Sequence, residues 1–103
     1  MGMEIDPKYG GTGSNFLSAC LVVEELAKVD ASVSVMCDVQ NTLVNNVIAF
    51  YASEQLQDRL FPRLAGNTIG SFCLSEPGSG SDAFALQTRA EEKGDRYIVR
   101  WMT

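Results

Sequence analysis

The chain has 103 residues, 46% of them apolar, and a formal charge of −5 from 8 Lys and Arg against 13 Asp and Glu. That length supports one modest domain with a real core rather than a disordered segment. The negative balance argues against nucleic acid or an anionic membrane surface as partner.

The start, Met1-Gly2-Met3-Glu4, reads as the interior of a longer protein, with no charged-then-apolar signal segment. Met1 to Gly13 is irregular: Asp6-Pro7 and Gly10-Gly11-Thr12-Gly13 are turn chemistry. Ser14 or Asn15 is placed to cap a first helix that runs to about Lys28. Phe16, Cys20, Val23 and Ala27 recur at helical spacing, and Leu17, Leu21 and Leu26 widen the stripe. A helix apolar on most sides expects burial.

Asp30 is a cap for a second helix through about Tyr51, with Met36, Val39, Leu43, Val47 and Phe50 as its core stripe. Gln40, Asn41, Asn45 and Asn46 are polar without charge and are expected on an exposed or partly wet face. The longest uncharged run, Val39 to Ser53, is too polar to span a bilayer. Ser53 caps a third helix, with Leu56, Leu60 and Leu64 in register, and Pro62 is expected to kink or end it. Ala65-Gly66-Asn67 closes the helical part.

The pattern then changes. Ile69 to Leu74 is short and apolar and reads as a strand. Thr88 to Glu91 and Arg96 to Trp101 read as two more, joined by a Lys93-Gly94-Asp95 hairpin turn. Three strands leave unpaired edges, so the sequence reads as stopping in mid-domain. The fold class expected is α+β: helices followed by the opening strands of a β domain.

Cys20, Cys37 and Cys73 are far apart, no CxxC occurs, and the chain has no histidine. A zinc site and any His-dependent nucleophile are therefore not expected. The cysteines read as buried free thiols of a reducing compartment.

The first strand runs into a Gly/Ser loop in "FCLSEPGSGSD", Phe72 to Asp82. Glycines permit positive φ and close approach of a ligand to the backbone. Successive amides form an anion-binding nest, and Ser79 and Ser81 add hydroxyl donors. A diphosphate or a ribityl chain suits such a surface, and so does a plain turn. The P-loop lysine is absent and the glycine spacing is not GxGxxG. Glu76 is placed to order the loop by accepting amide hydrogen bonds, and Asp82 to cap a turn at Ala83 to Leu86. No pair of carboxylates is set for acid–base work.

Taken together, "YGGTG" (Tyr9 to Gly13), "VVEELAKVDAS" (Val22 to Ser32), "FCLSEPGSGSD", "TRAEEKGDRYIV" and "WMT" (Trp101 to Thr103) resemble, in order and spacing, the acyl-CoA dehydrogenase flavoproteins. The resemblance covers essentially the whole chain. It implies the later helices of an N-terminal α-helical domain at 1–68 and the start of a middle β-barrel domain at 69–103. It also implies FAD as cofactor, with Phe72 to Ser81 lying along it. Backbone groups of Phe72, Cys73 and Leu74 and the hydroxyl of Ser75 would meet the flavin ring. Gly80 and Ser81 would approach the ribityl and diphosphate side, and Ser81 would also contact the acyl-CoA substrate. Trp101 would pack on the isoalloxazine, with Met102 beside it and Thr103 hydrogen-bonding near N5. The plain alternative for Trp101 is a core residue at a strand end.

The reaction implied is α,β-dehydrogenation of a short or branched acyl-CoA, a glutamate base taking the α-proton and the β-hydrogen leaving as hydride to the flavin. Electrons would pass to electron-transfer flavoprotein, in a homotetrameric enzyme of the mitochondrial matrix. No glutamate of this chain matches the family's base, so no catalytic residue is assigned. Family members also carry an Asn-Gly-x-Lys-x stretch before the Trp-Ile-Thr motif, whereas here Val99-Arg100 runs straight into Trp101. About four residues are missing there, or about 13 Å of extended chain. The competing readings are a non-catalytic helical interaction or assembly module from the same family, and a generic nucleotide- or CoA-binding module. The first predicts a stable oligomer without flavin. The second predicts binding of adenine-diphosphate ligands without flavin colour.

Overall fold

The computed structural model describes residues 1–100, which form two compact units, Met1–Phe72 and a second that begins at Cys73. The first unit is helical and the second holds one antiparallel hairpin, so the chain is α+β, helices first.

The first unit opens with a looped segment. Thr12, Gly13 and Ser14 donate their amides to the carbonyls of Gly2, Ile5 and Met3. A 3-10 turn at Pro7–Tyr9 is capped by the Asp6 carboxylate and closed by Gly10 at φ 87°, a left-handed conformation that glycine adopts without strain. Gly11 lies so close to Ile5 that a Cβ there would overlap the Ile5 carbonyl. The YGGTG motif is thereby explained by backbone geometry alone.

Helix α1 spans Phe16–Ala27, with the Asn15 side chain accepting from Ser18 N. Helix α2 spans Ala31–Asp38, capped by Asp30. It continues as a π-helical segment, Val39–Asn45, and then as α3, Asn46–Tyr51. Helix α4 spans Glu54–Gly66, capped by Ser53. It passes through Pro62 rather than ending there. Pro62 is exposed, and α4 is held instead by Phe61 and Leu64, which point into the core on either side of it.

The core of this unit is small: Ile5, Val44, Phe61 and Leu64, with Tyr9, Ile48, Leu60 and Ala65 packed against it. The Tyr9 and Phe61 rings lie 5.2 Å apart, tilted by 41°, within the range of favourable aromatic pairs.

Four expectations are corrected here. Helix α1 is not buried: only Ala19 is, while Phe16, Leu17 and Leu21 are exposed. It packs on α2, and one neighbouring helix covers one stripe, not most of a circumference. The stripe Met36, Leu43, Val47 and Phe50 is exposed, Val39 is half-buried, and the buried positions are Ser34, Cys37, Gln40, Asn41, Val44 and Asn45. These positions keep helical spacing on a face beside the apolar stripe, and the amides on it bond to the backbone of Met1, Met3 and Gly70, which holds that face inward. Gln40, Asn41 and Asn45 are thus fully buried rather than wet, at 1%, 0% and 2% exposure. Of the cysteines, all three are free thiols, but Cys20 and Cys73 are exposed and only Cys37 is buried.

The π segment has a side-chain cause. Asn41 Nδ2 donates to the Cys37 carbonyl at 2.7 Å, Thr42 Oγ1 to that of Asp38 at 2.9 Å, and Asn46 Nδ2 to that of Thr42 at 3.0 Å. Each side chain takes the carbonyl four residues back, the one an α-helical amide would use.

In the second unit, β1 (Arg89–Lys93) pairs antiparallel with β2 (Arg96–Arg100), and Lys93 faces Arg96 across the turn. Gly94 takes φ 66° at the first turn position, where tight hairpins favour glycine. Both strands are exposed along their whole length. The strand expected at Ile69 to Leu74 is absent: this stretch forms no ladder among the described residues. A strand needs a partner for its backbone groups. Here the Gly70 amide is satisfied by the Gln40 side chain instead.

Candidate functional site

The loop that follows Phe72 is organised by Glu76, Ser79 and Asp82. Glu76 and Ser79 exchange backbone hydrogen bonds, both 3.0 Å, closing a tight turn over Pro77 and Gly78. Ser79 is 1% exposed, and its hydroxyl donates to the Asp82 carbonyl at 2.8 Å. Asp82 starts the next turn, its carbonyl accepting from Ala85 N at 3.2 Å and its carboxylate from Phe84 N at 3.3 Å.

Glu76 fastens this loop to the entry of the hairpin. Its Oε2 accepts from Gln87 N at 2.7 Å and its Oε1 from Thr88 N at 3.1 Å. The Thr88 hydroxyl beside it, then the Gln87 amide, hold its pKa below the ordinary 4.5, because hydrogen bonds to the charged form favour it. Both acids are therefore structural, in the roles the sequence suggested. Ser79, in contrast, is an internal strut of the loop rather than a free hydroxyl donor.

The fixed loop leaves its neighbours free. Phe72, Cys73, Leu74, Ser75, Gly80 and Ser81 are all exposed. Cys73, Leu74 and Ser75 line one side of a cleft of about 270 Å³, completed by Glu76, Leu86 and Thr88. Gly80 and Ser81 do not line that cleft. Trp101, Met102 and Thr103 lie outside the described residues.

Gly78 and Gly80 do not take positive φ, so conformational need does not explain them. A Cβ on Gly80 would meet nothing within 4 Å, and one on Gly78 only the Gln87 amide at 3.8 Å. Nothing among the described residues requires glycine at 80. A bare backbone open to its surroundings is what close approach by an outside group needs. Exposed Leu74, the hydroxyls of Ser75 and Ser81 and the open backbone at Gly80 are groups of a kind that the ring and polar tail of a flavin dinucleotide would suit.

A second cleft, of about 220 Å³, lies in the helical unit among Glu4, Tyr9, Asn45, Gln57 and Phe61. There Glu4 Oε2 is buried without a hydrogen-bond partner. Among the described residues no group of three or more metal-ligating side chains is assembled, and no helix is long and apolar enough to cross a membrane.

What the sequence missed is the amide cluster on the π segment. Asn41 Oδ1 accepts from Met3 N at 2.9 Å, Asn45 Nδ2 donates to the Met1 carbonyl at 3.3 Å, and Gln40 Oε1 accepts from Gly70 N at 2.8 Å. The available signal was four uncharged amides in seven helical positions with no Lys, Arg, Asp or Glu among them.

Residues 1–68 match the model of the family described as acyl-CoA dehydrogenase, N-terminal domain. The chain is 57% identical over 99 residues to the mitochondrial short/branched chain specific acyl-CoA dehydrogenase of Bos taurus, covering 96% of this chain and 23% of that protein. It is 53% identical to the probable short/branched chain specific acyl-CoA dehydrogenase of Dictyostelium discoideum, covering 100% of this chain and 26% of the relative. That match extends over 108 aligned positions, against 103 residues in the chain. A crystal structure of an acyl-CoA dehydrogenase from Geobacillus kaustophilus superposes with a TM-score of 0.83 at 35% identity, over 96% of this chain and 26% of that one. A structure of the electron transferring flavoprotein of Acidaminococcus fermentans gives 0.86 at 36% identity, over 95% and 26%. The chain thus spans about a quarter of the length of the relatives it matches.

Proposed function

From the premise that this chain belongs to the acyl-CoA dehydrogenase family, which the match over residues 1–68 shows, we propose that it forms part of an FAD-dependent enzyme oxidising short or branched acyl-CoA to 2-enoyl-CoA. Residues 1–68 are its N-terminal helical domain and 69–103 the start of its middle β domain. FAD, when bound, supplies the hydride acceptor for the α,β-dehydrogenation. The chain's own residues bind and orient. Phe72, Cys73 and Leu74 offer backbone groups and apolar surface to the flavin ring, and Ser75 a hydroxyl. Gly80 and Ser81 flank the ribityl and diphosphate side, and Ser81 reaches the acyl-CoA. Trp101, Met102 and Thr103 complete the flavin face. Electron-transfer flavoprotein takes the electrons, and the working enzyme is a homotetramer of the mitochondrial matrix; the Bos taurus relative is named mitochondrial.

The observation that carries this reading is Gly80: open, free of positive φ, and without a reason to be glycine among the described residues. The chain supplies no catalytic base, so its role here is to position cofactor and substrate. The purified 103-residue chain is therefore expected to bind FAD only weakly and to turn over no acyl-CoA in the presence of an electron acceptor. Ser81→Ala is expected to weaken the flavin response further. Turnover by the chain alone would overturn the assignment of roles.

A further inference from the structure

Gln40 and Gly70 are 30 positions apart, and one hydrogen bond joins them. The Gln40 side chain is 1% exposed, and its Oε1 accepts from the Gly70 amide at 2.8 Å. Its Nε2 donates to Asn45 Oδ1 at 3.4 Å, and Asn45 in turn holds the Met1 carbonyl. The acceptor is therefore itself held in place. A second contact fixes the same residue. Val44, four residues further along the helix, packs against Gly70 so closely that a Cβ there would overlap its side chain. The neighbours of Gly70 have little hold of their own, since Ile69 and Ser71 are exposed and no strand ladder runs through them. Phe72 follows two residues later.

We propose that Gln40 is a positioning residue for the cofactor segment: its side-chain oxygen, with Val44 beside it, sets where the backbone at Gly70–Phe72 leaves the helical unit. It touches no reacting atom and acts through the backbone. Gln40 and Val44 share the buried face of the helix, which places them together against Gly70. The proposal rests on reading Phe72 to Ser81 as the flavin-facing stretch.

The test uses the 15N-labelled 103-residue chain. Gln40→Met keeps the length of the side chain and removes the acceptor, while Gln40→Glu keeps an oxygen there. Amide hydrogen exchange at Gly70 is expected to speed up by about tenfold or more in Gln40→Met, the effect of losing one hydrogen bond. Exchange at Leu60 to Leu64 in α4 should stay as it was, and Gln40→Glu should restore Gly70. FAD at millimolar concentration is expected to shift the Phe72 amide resonance in the wild type and in Gln40→Glu, but not in Gln40→Met. Unchanged Gly70 exchange in Gln40→Met overturns the proposal. So does lost protection with the FAD shift at Phe72 intact, and so does equal loss throughout α4 in both variants, which marks a merely structural role. If FAD leaves Phe72 unmoved in the wild type as well, the flavin reading itself fails and the positioning role goes with it. The wild-type spectrum tells the two failures apart.

Discussion

Asn41 is the most deeply placed polar residue of the helical unit, and both ends of its amide are engaged. It accepts from Met3 N and donates to the Cys37 carbonyl. Asn41→Ala leaves a buried amide and opens a small cavity, so it is expected to destabilise the chain by about 2–4 kcal/mol; urea unfolding followed by circular dichroism measures this. A loss below half a kilocalorie would contradict the role given to the cluster. Glu76 makes a pH prediction. Its pKa is lowered in the folded chain from 4.5, so the ionised carboxylate contributes stability above the unfolded value, and that contribution is lost as pH falls through the folded value. The midpoint of its carboxyl resonance is expected below 4.5, with Gln87 and Thr88 amides shifting in step; a midpoint at or above 4.5 removes the clamp. Glu76 and Asp82 were legible in the sequence because their partners lie within 12 residues in the loop they order. The amides of Gln40 and Asn41 were not. Their partners at Gly70 and Met3 are 30 and 38 residues away, and composition alone makes uncharged amides look like surface.

At the scale of elements, the starts of the helices were readable because caps are local. Asn15, Asp30 and Ser53 each accept from an amide two or three residues on. The helix face was not readable where polar residues occupy it. The buried positions Ser34, Cys37, Asn41 and Val44 keep helical spacing, but a hydropathy pattern prefers the apolar stripe of Met36, Leu43 and Val47 beside them. The hairpin was readable from Gly94, and the strand at 69–74 was misread because a strand depends on a neighbour that a local pattern does not contain. The hairpin's own stability is modest: two strands, exposed throughout, with ion pairing of Arg100 to Glu91 at 3.4 Å on the surface. Gly94→Val puts a branched side chain at φ 66° and is expected to cost about 1–2 kcal/mol. Amide protection across the hydrogen-bonded Glu91–Ile98 and Arg89–Arg100 pairs should disappear, while the helical melt stays within a degree. Retained protection would show that the turn does not set the hairpin.

For the whole molecule, the informative feature is how much apolar surface the chain leaves uncovered. Phe16, Leu17 and Leu21 on α1, Phe50 and Tyr51 at the end of α3, and Phe84 beyond the loop are all more than half exposed. The four-residue core around Ile5 and Phe61 is small for 103 residues. These faces, a glycine at 80 that meets nothing among the described residues, and a span of about a quarter of its relatives are what the proposed function rests on, in which the chain would contribute surfaces to a larger enzyme. The central claim is that Phe72 to Ser81 meets FAD. The most direct measurement is the 15N–1H spectrum of the labelled chain as FAD is raised to millimolar concentration. The account predicts weak, saturable shifts at Phe72, Cys73, Leu74, Ser75, Gly80 and Ser81, all lessened in Ser81→Ala. Shifts that spare these residues and fall instead on the Glu4, Tyr9 and Gln57 cleft, or a spectrum that FAD leaves unchanged, would contradict it.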